Sequence, residues 1–153
     1  MNLVLASRSA RTIMDRHGLY DWTFKFDGAK RRAGLTNYTD RIISLSKPLT
    51  TLHDEHQVTQ TTLHEVAHAL AGFEAAHGDR WLSVARSIGY EGGRCGSGPV
   101  APPNWHGVCD RGHVASSRYR RPRQGVVFSC LTCYPHGFNP DYPLSWMPAT
   151  LSN

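Results

Sequence analysis

The sequence predicts an α+β fold, with helices packed on a short antiparallel sheet and then a small module that needs a metal ion to stay folded. Three observations predict it. The apolar residues before Gly89 switch between the 3.6-residue period of a helix and the two-residue period of a strand. After Gly89, glycine and proline interrupt the pattern, and three of the four cysteines follow within residues 105–134. At 153 residues the chain has room for one ordinary domain and an appendage.

Residues Leu5 to Leu19 read as a first helix, with Leu5, Ile13 and Met14 near one face and His17-Gly18 as its stop. Trp22, Phe24 and Phe26 then alternate with Asp21, Thr23, Lys25 and Asp27, as in a half-buried strand ending at Asp27-Gly28. Arg41 to Ser46 reads as a second strand closed by Lys47-Pro48, and the two are expected to pair antiparallel. From Thr51 to Phe73 the pattern is helical, with Leu63, Val66, Ala67 and Leu70 as an apolar stripe. A last core helix runs from an Asp79 N-cap to Ile88, its face made of Trp81, Val84, Ala85 and Ile88, with Gly89 as C-cap. The expected division is a core over 1–92, a Gly/Pro-rich linker over 93–104, and a metal-held module over 105–153 whose end, from Pro135, is an extended strap.

The composition, 40% apolar and 19% charged, excludes the disordered and membrane classes. No apolar run approaches the roughly 18 to 20 residues of a membrane span, and Met1 to Ala6 is too short for a signal-peptide core. The expectation is a soluble monomer of a bacterial cytoplasm, from a bacterial or a viral gene. The net charge of +5 hints at a polyanionic partner, although a bias of 14 Arg to three Lys also fits a GC-rich genome.

His64-Glu65-Val66-Ala67-His68 carries the clearest chemistry. Helical residues four apart lie about 6 Å apart along the axis and only about 40° around it, so both imidazoles point at one spot and can chelate a metal ion. Glu65, about 100° around from His64, stands beside that spot as a general base. Zinc lowers the pKa of the water it binds to near 7, so a positioned carboxylate can complete the activation of water against a carbonyl. Catalytic zinc takes three protein ligands and keeps an open position. His77 is the candidate third ligand because Gly72 and Gly78 let the chain turn back, with Glu74 as its rival.

This run, followed by His77-Gly78-Asp79-Arg80-Trp81, resembles the SprT-like metalloprotease family, whose signature is HExxH, then His-Gly, then an aromatic three residues later. The segment Arg32 to Leu49, with Gly34 and Ile42-Ile43-Ser44-Leu45-Ser46, is similar to the strand before that family's active-site helix, so the likeness spans about 30–90. The resemblance implies a small zincin, minigluzincin-like core, with His64, His68 and His77 as ligands, Glu65 as catalytic base, and proteolysis of DNA-bound or DNA-crosslinked proteins.

Cys130-Leu131-Thr132-Cys133 has the spacing of a zinc knuckle, and Cys109 with His113 supplies the other half of a structural zinc site. Family members usually place a second cysteine pair there. Cys95 is the alternative to His113, and otherwise reads as a free thiol. Between the halves, Arg118, Tyr119, Arg120, Arg121 and Arg123 form a basic run around one aromatic, suited to a phosphate backbone with a stacked base or to a solvated hairpin tip. The sequence thus expects a zinc endopeptidase with two zinc ions, a protein substrate and DNA as partner. The rival expectations are a DNA-binding zinc adaptor of weak catalysis and a zinc hydrolase of non-peptide bonds. Tyr38, Tyr90 and His106 are candidates by type alone for stabilising the transition state.

Overall fold

The computed structural model describes residues 1–93 and 99–149, which fall into two compact units, Met1–Ala101 and Pro102–Asn153. The division comes within the segment expected as a linker. Cys95 lies outside the described residues.

In the first unit α1 (Leu3–Arg16) starts at Asn2, whose side chain accepts from the Val4 and Leu5 N–H groups, and ends just before Gly18 at φ +74°. Its buried face is Ala6, Ala10, Ile13 and Met14, whereas Leu5 points to solvent. Three strands follow, β1 (Thr23–Asp27), β2 (Gly34–Asn37) and β3 (Ile42–Ser46), in the sheet order β1-β3-β2.

β1 and β3 are parallel, not antiparallel as the sequence suggested, and β2 is antiparallel to β3. The short strand β2 is the reason. It adds a second reversal of the chain, through the turn in which Asn37 Oδ1 accepts from the Asp40 N–H, so β3 returns in the direction of β1. β3 is central and buried over four of its five residues. Its polar Ser44 bonds to the Asp27 carboxylate and Ser46 to the Ala29 carbonyl.

The expected single helix over 51–73 is two helices, α2 (Lys47–Leu52) and α3 (Glu55–Ala71). Asp54 breaks them, because a capping box with Gln57 gives α3 its own start. Leu63, Val66, Ala67 and Ala71 are buried with Ile13, Met14, Ile43, Trp81 and Ala85, while Leu70 of the expected stripe is exposed. A one-turn 3-10 helix (Phe73–Ala75) leads to α4 (Asp79–Ser87). Gly78, not Asp79, is the N-cap of α4, without a side-chain cap bond, and Gly89 follows the C-cap at φ +91°.

The second unit is an antiparallel sheet of order β5-β4-β6, formed by β4 (Trp105–Val108), β5 (Val114–Arg118) and β6 (Ser145–Pro148). The tail is therefore not a strap throughout, since Ser145–Pro148 pairs along β4. Among the described residues no helix is long and apolar enough to cross a membrane.

Candidate metal centres and catalytic carboxylate

His64 and His68 lie one turn apart on α3, and the turn after Gly72 carries His77 back to them. Gly72 is at φ +86° and ψ 161°, a conformation that glycine alone adopts without strain, and Ala76 is at φ +41°. The three Nε2 atoms converge, with 2.9 Å between His68 and His77 and 3.1 Å between His77 and His64. A neutral imidazole has one N–H and one lone pair, so three ring nitrogens converging on one point suit a shared cation better than one another. Ligand nitrogens around a tetrahedral ion at about 2.0–2.1 Å stand about 3.3 Å apart, close to this arrangement. The donor set therefore fits a metal ion with an open fourth position. Glu74, the rival ligand, is exposed on the 3-10 turn and outside the cluster.

Trp81 is completely buried against all three rings, with centroids 4.7 to 5.2 Å away. Burial, reinforced by the other two histidines, pushes His64 down to about 4, and burial with His77 does the same to His68. Both rings are thus neutral, as ligation requires.

Glu65 is the buried carboxyl of the site, 6% exposed. Burial pushes its carboxyl up to about 7, against the lowering effects of Thr36 and Arg32 and with a small raising effect of Asp27. The Thr36 hydroxyl donates to Glu65 Oε2 at 2.7 Å and also lies 2.9 Å from the Glu65 carbonyl. Gly34, on the same face of β2, leaves the space the side chain fills. Gly34 entered the sequence reading only through the family resemblance and Thr36 not at all, because β2 is only four residues long and begins with glycine.

Of the residues considered for transition-state stabilisation, the Tyr38 hydroxyl donates to the His68 carbonyl at 3.2 Å and that of Tyr90 to the Gly93 carbonyl at 2.8 Å. Burial, then the charge of Glu65, raises the Tyr38 phenol. His106 belongs to the second unit, where Nδ1 meets Ser117 Oγ at 2.8 Å.

In the second unit Cys109 ends the β4 side of a turn and His113 precedes β5, while Cys130 and Cys133 share one tight turn closed by the Tyr134 N–H to the Cys130 carbonyl. The His113 Nδ1 atom is 3.3 Å from Cys133 Sγ, 3.6 Å from Cys109 Sγ and 3.8 Å from Cys130 Sγ, and Cys109 Sγ is 3.7 Å from Cys133 Sγ. Edges of about 3.5–3.8 Å describe a tetrahedron of sulfur and nitrogen around an ion bonded at about 2.3 and 2.0 Å. Burial raises the Cys109 and Cys130 thiols, but backbone N–H groups outweigh it and hold both below the usual value. Burial, with Cys130 and Cys109, pushes Cys133 up to about 11.

All four arginines of the basic run are exposed, and two of them also lie over aromatic rings. Arg118 lies over Phe128 at 4.6 Å and Trp146 at 5.8 Å, and Arg121 over Trp105 at 5.1 Å. Arg120 and Arg123 are exposed, and Tyr119 is half-buried. No curated protein and no solved structure matches the chain. The SprT-like family model matches residues 5–100, more than half of the chain and the whole stretch that carries β2, the three histidines and Glu65. The chain belongs to the SprT-like family.

Proposed function

We propose that the chain is a zinc-dependent endopeptidase acting, as a monomer, on proteins bound or crosslinked to DNA. The observation that carries this reading is the convergence of the three Nε2 atoms beside a buried carboxylate. His64, His68 and His77 would hold the catalytic zinc, and Cys109, His113, Cys130 and Cys133 a structural one. Zinc in the first site supplies Lewis acidity, which makes water acidic near neutral pH and polarises a peptide carbonyl.

The remaining steps belong to the chain. Glu65, with its carboxyl raised to about 7, takes a proton from the attacking water and returns it to the leaving amine. Thr36 holds Oε2 and Gly34 leaves room for Oε1, so the carboxylate keeps one orientation beside the histidines. Trp81 fixes the planes of the three imidazoles and keeps water from behind them.

The net charge of +5 and the exposed Arg120 and Arg123 support DNA as the partner that brings substrates near. Arg118 and Arg121 keep guanidinium edges for phosphate while their faces rest on aromatic rings. A weakly catalytic DNA-binding adaptor would have no use for a hydrogen-bonded carboxylate buried beside the histidines. The test is cleavage of a protein crosslinked to single-stranded DNA. Wild type should cut it, faster than the free protein, and Glu65→Gln should not. Cleavage of neither substrate would leave the adaptor, and ester or amide cleavage without proteolysis would leave the non-peptide hydrolase.

A further inference from the structure

Beside His64 and Glu65 the first unit opens into a cleft of ≈ 680 Å3, whose lining includes the loop 31–34 and residues 90–93, 99 and 100. Its polar side chains are almost all committed. Arg32 is paired with Asp27 at 2.8 Å, and His53 Nε2 meets the Pro99 carbonyl at 2.9 Å. Gln57 is locked in the capping box, the Thr61 hydroxyl donates to the Gln57 carbonyl, and Gln60 bridges the Gly89 carbonyl and the Glu91 N–H. His56 faces Glu91 at 3.5 Å, Tyr90 donates to Gly93, and Glu65 accepts from Thr36.

Arg31 is different. It lines the cleft, is exposed, and makes no hydrogen bond or ion pair among the described residues. Among the described residues of the lining, Glu91, which faces His56, is the only acidic one apart from Glu65. Among the described residues, the cleft therefore carries in Arg31 an exposed cation whose guanidinium donors have no partner. Leu49, Pro99 and Val100 give the same cleft apolar wall, so an occupant with a carbon stem and an anionic end fits it.

We infer that Arg31 is a specificity-determining residue that reads an aspartate or glutamate side chain of the bound polypeptide, close to the bond that is cut. This rests on the endopeptidase reading and deepens it by naming a substrate class, segments with an acidic residue beside the cleavage point. Planar, bidentate pairing with a carboxylate is the interaction in which arginine exceeds lysine, and a partly exposed pair of this kind changes binding by severalfold rather than by orders of magnitude.

The experiment compares metal-loaded wild type and Arg31→Glu on quenched fluorescent peptides that differ only in carrying Asp, Asn or Lys at each position flanking the scissile bond. At one position wild type should favour Asp over Asn by about fivefold in kcat/KM, and Arg31→Glu should favour Lys. Because each ratio is internal to one protein, partial misfolding of the variant cannot produce the inversion. Equal rates for Asp and Asn in wild type, or an unchanged ratio in Arg31→Glu, would overturn the inference and leave the endopeptidase reading standing. If wild type cuts none of the peptides, that reading fails, and anisotropy of the same labelled peptides decides on Arg31. Asp-selective binding lost in Arg31→Glu supports it, and unselective binding overturns it. A single-stranded oligonucleotide serves as the other probe. Weakened oligonucleotide binding with an unaltered peptide ratio would make Arg31 a phosphate contact and overturn the inference.

Discussion

Gly34 and Glu65 pack so closely that a Cβ on Gly34 would stand 2.6 Å from both Cγ and Oε1 of the glutamate. The edge strand β2 thus sets where the carboxylate sits, although β2 contributes no metal ligand. Gly34→Ala should push Glu65 away while leaving the histidine cluster intact. The expected result is a fall of about 100-fold in kcat with bound metal retained, read by steady-state kinetics and elemental analysis. Loss of the metal in that variant would mean that β2 supports the whole site and not the carboxylate alone.

Thr36→Val removes the hydroxyl bonded to Glu65 Oε2 and keeps the shape of the side chain. That hydrogen bond lowers the Glu65 pKa, so its loss should move the acidic limb of the pH–rate profile to higher pH and reduce the rate at neutrality. Thr36→Ser should restore both, and a profile that does not move in Thr36→Val would contradict the role given to the hydroxyl.

The metal-free chain should show two opposed titrations. Folded His64 and His68 sit at about 4 against 6.5 when unfolded, so their contribution to stability is complete above pH 6.5 and is lost as the pH falls toward 4. Folded Glu65 sits at about 7 against 4.5, so its contribution is present below pH 4.5 and is lost as the pH rises through 7. Between pH 4.5 and 6.5 the Tm of stripped Glu65→Gln should therefore rise with pH more steeply than that of the stripped wild type. Circular dichroism melts measure it, and equal slopes would contradict a buried neutral carboxyl at Glu65.

Gly72→Ala places a side chain where φ is +86° and ψ is 161°. A cost of about 1–3 kcal/mol is expected in denaturant unfolding, together with weaker metal binding because the turn delivers His77. A neutral effect on both would show that the turn can be rebuilt without glycine.

Much of the site was legible in the sequence because helix geometry is regular. The spacing of His64 and His68 fixes their common direction on any helix, and Gly72 marks where the chain can turn toward His77. The sheet was harder to read. Gly34 to Asn37 is too short to show alternation, and without β2 the direction of β3 relative to β1 comes out reversed. Asp54 and Gln57 did carry a start signal inside the expected long helix, but the apolar period runs on past the break and hides it. The contacts of Glu65 with Thr36 and Gly34 join residues 29 or more positions apart, and no local pattern encodes them.

The proposed protease requires the three histidines to hold a metal that Glu65 uses without ligating. Elemental analysis of purified wild type, His77→Ala, Glu65→Gln and Cys130→Ser tests it most directly. Zinc should fill both sites in wild type and in Glu65→Gln, vanish from the histidine site alone in His77→Ala, and vanish from the cysteine site alone in Cys130→Ser. Wild type with zinc only at the cysteine site, or His77→Ala with the full wild-type content, would rule out a metal held by the three histidines.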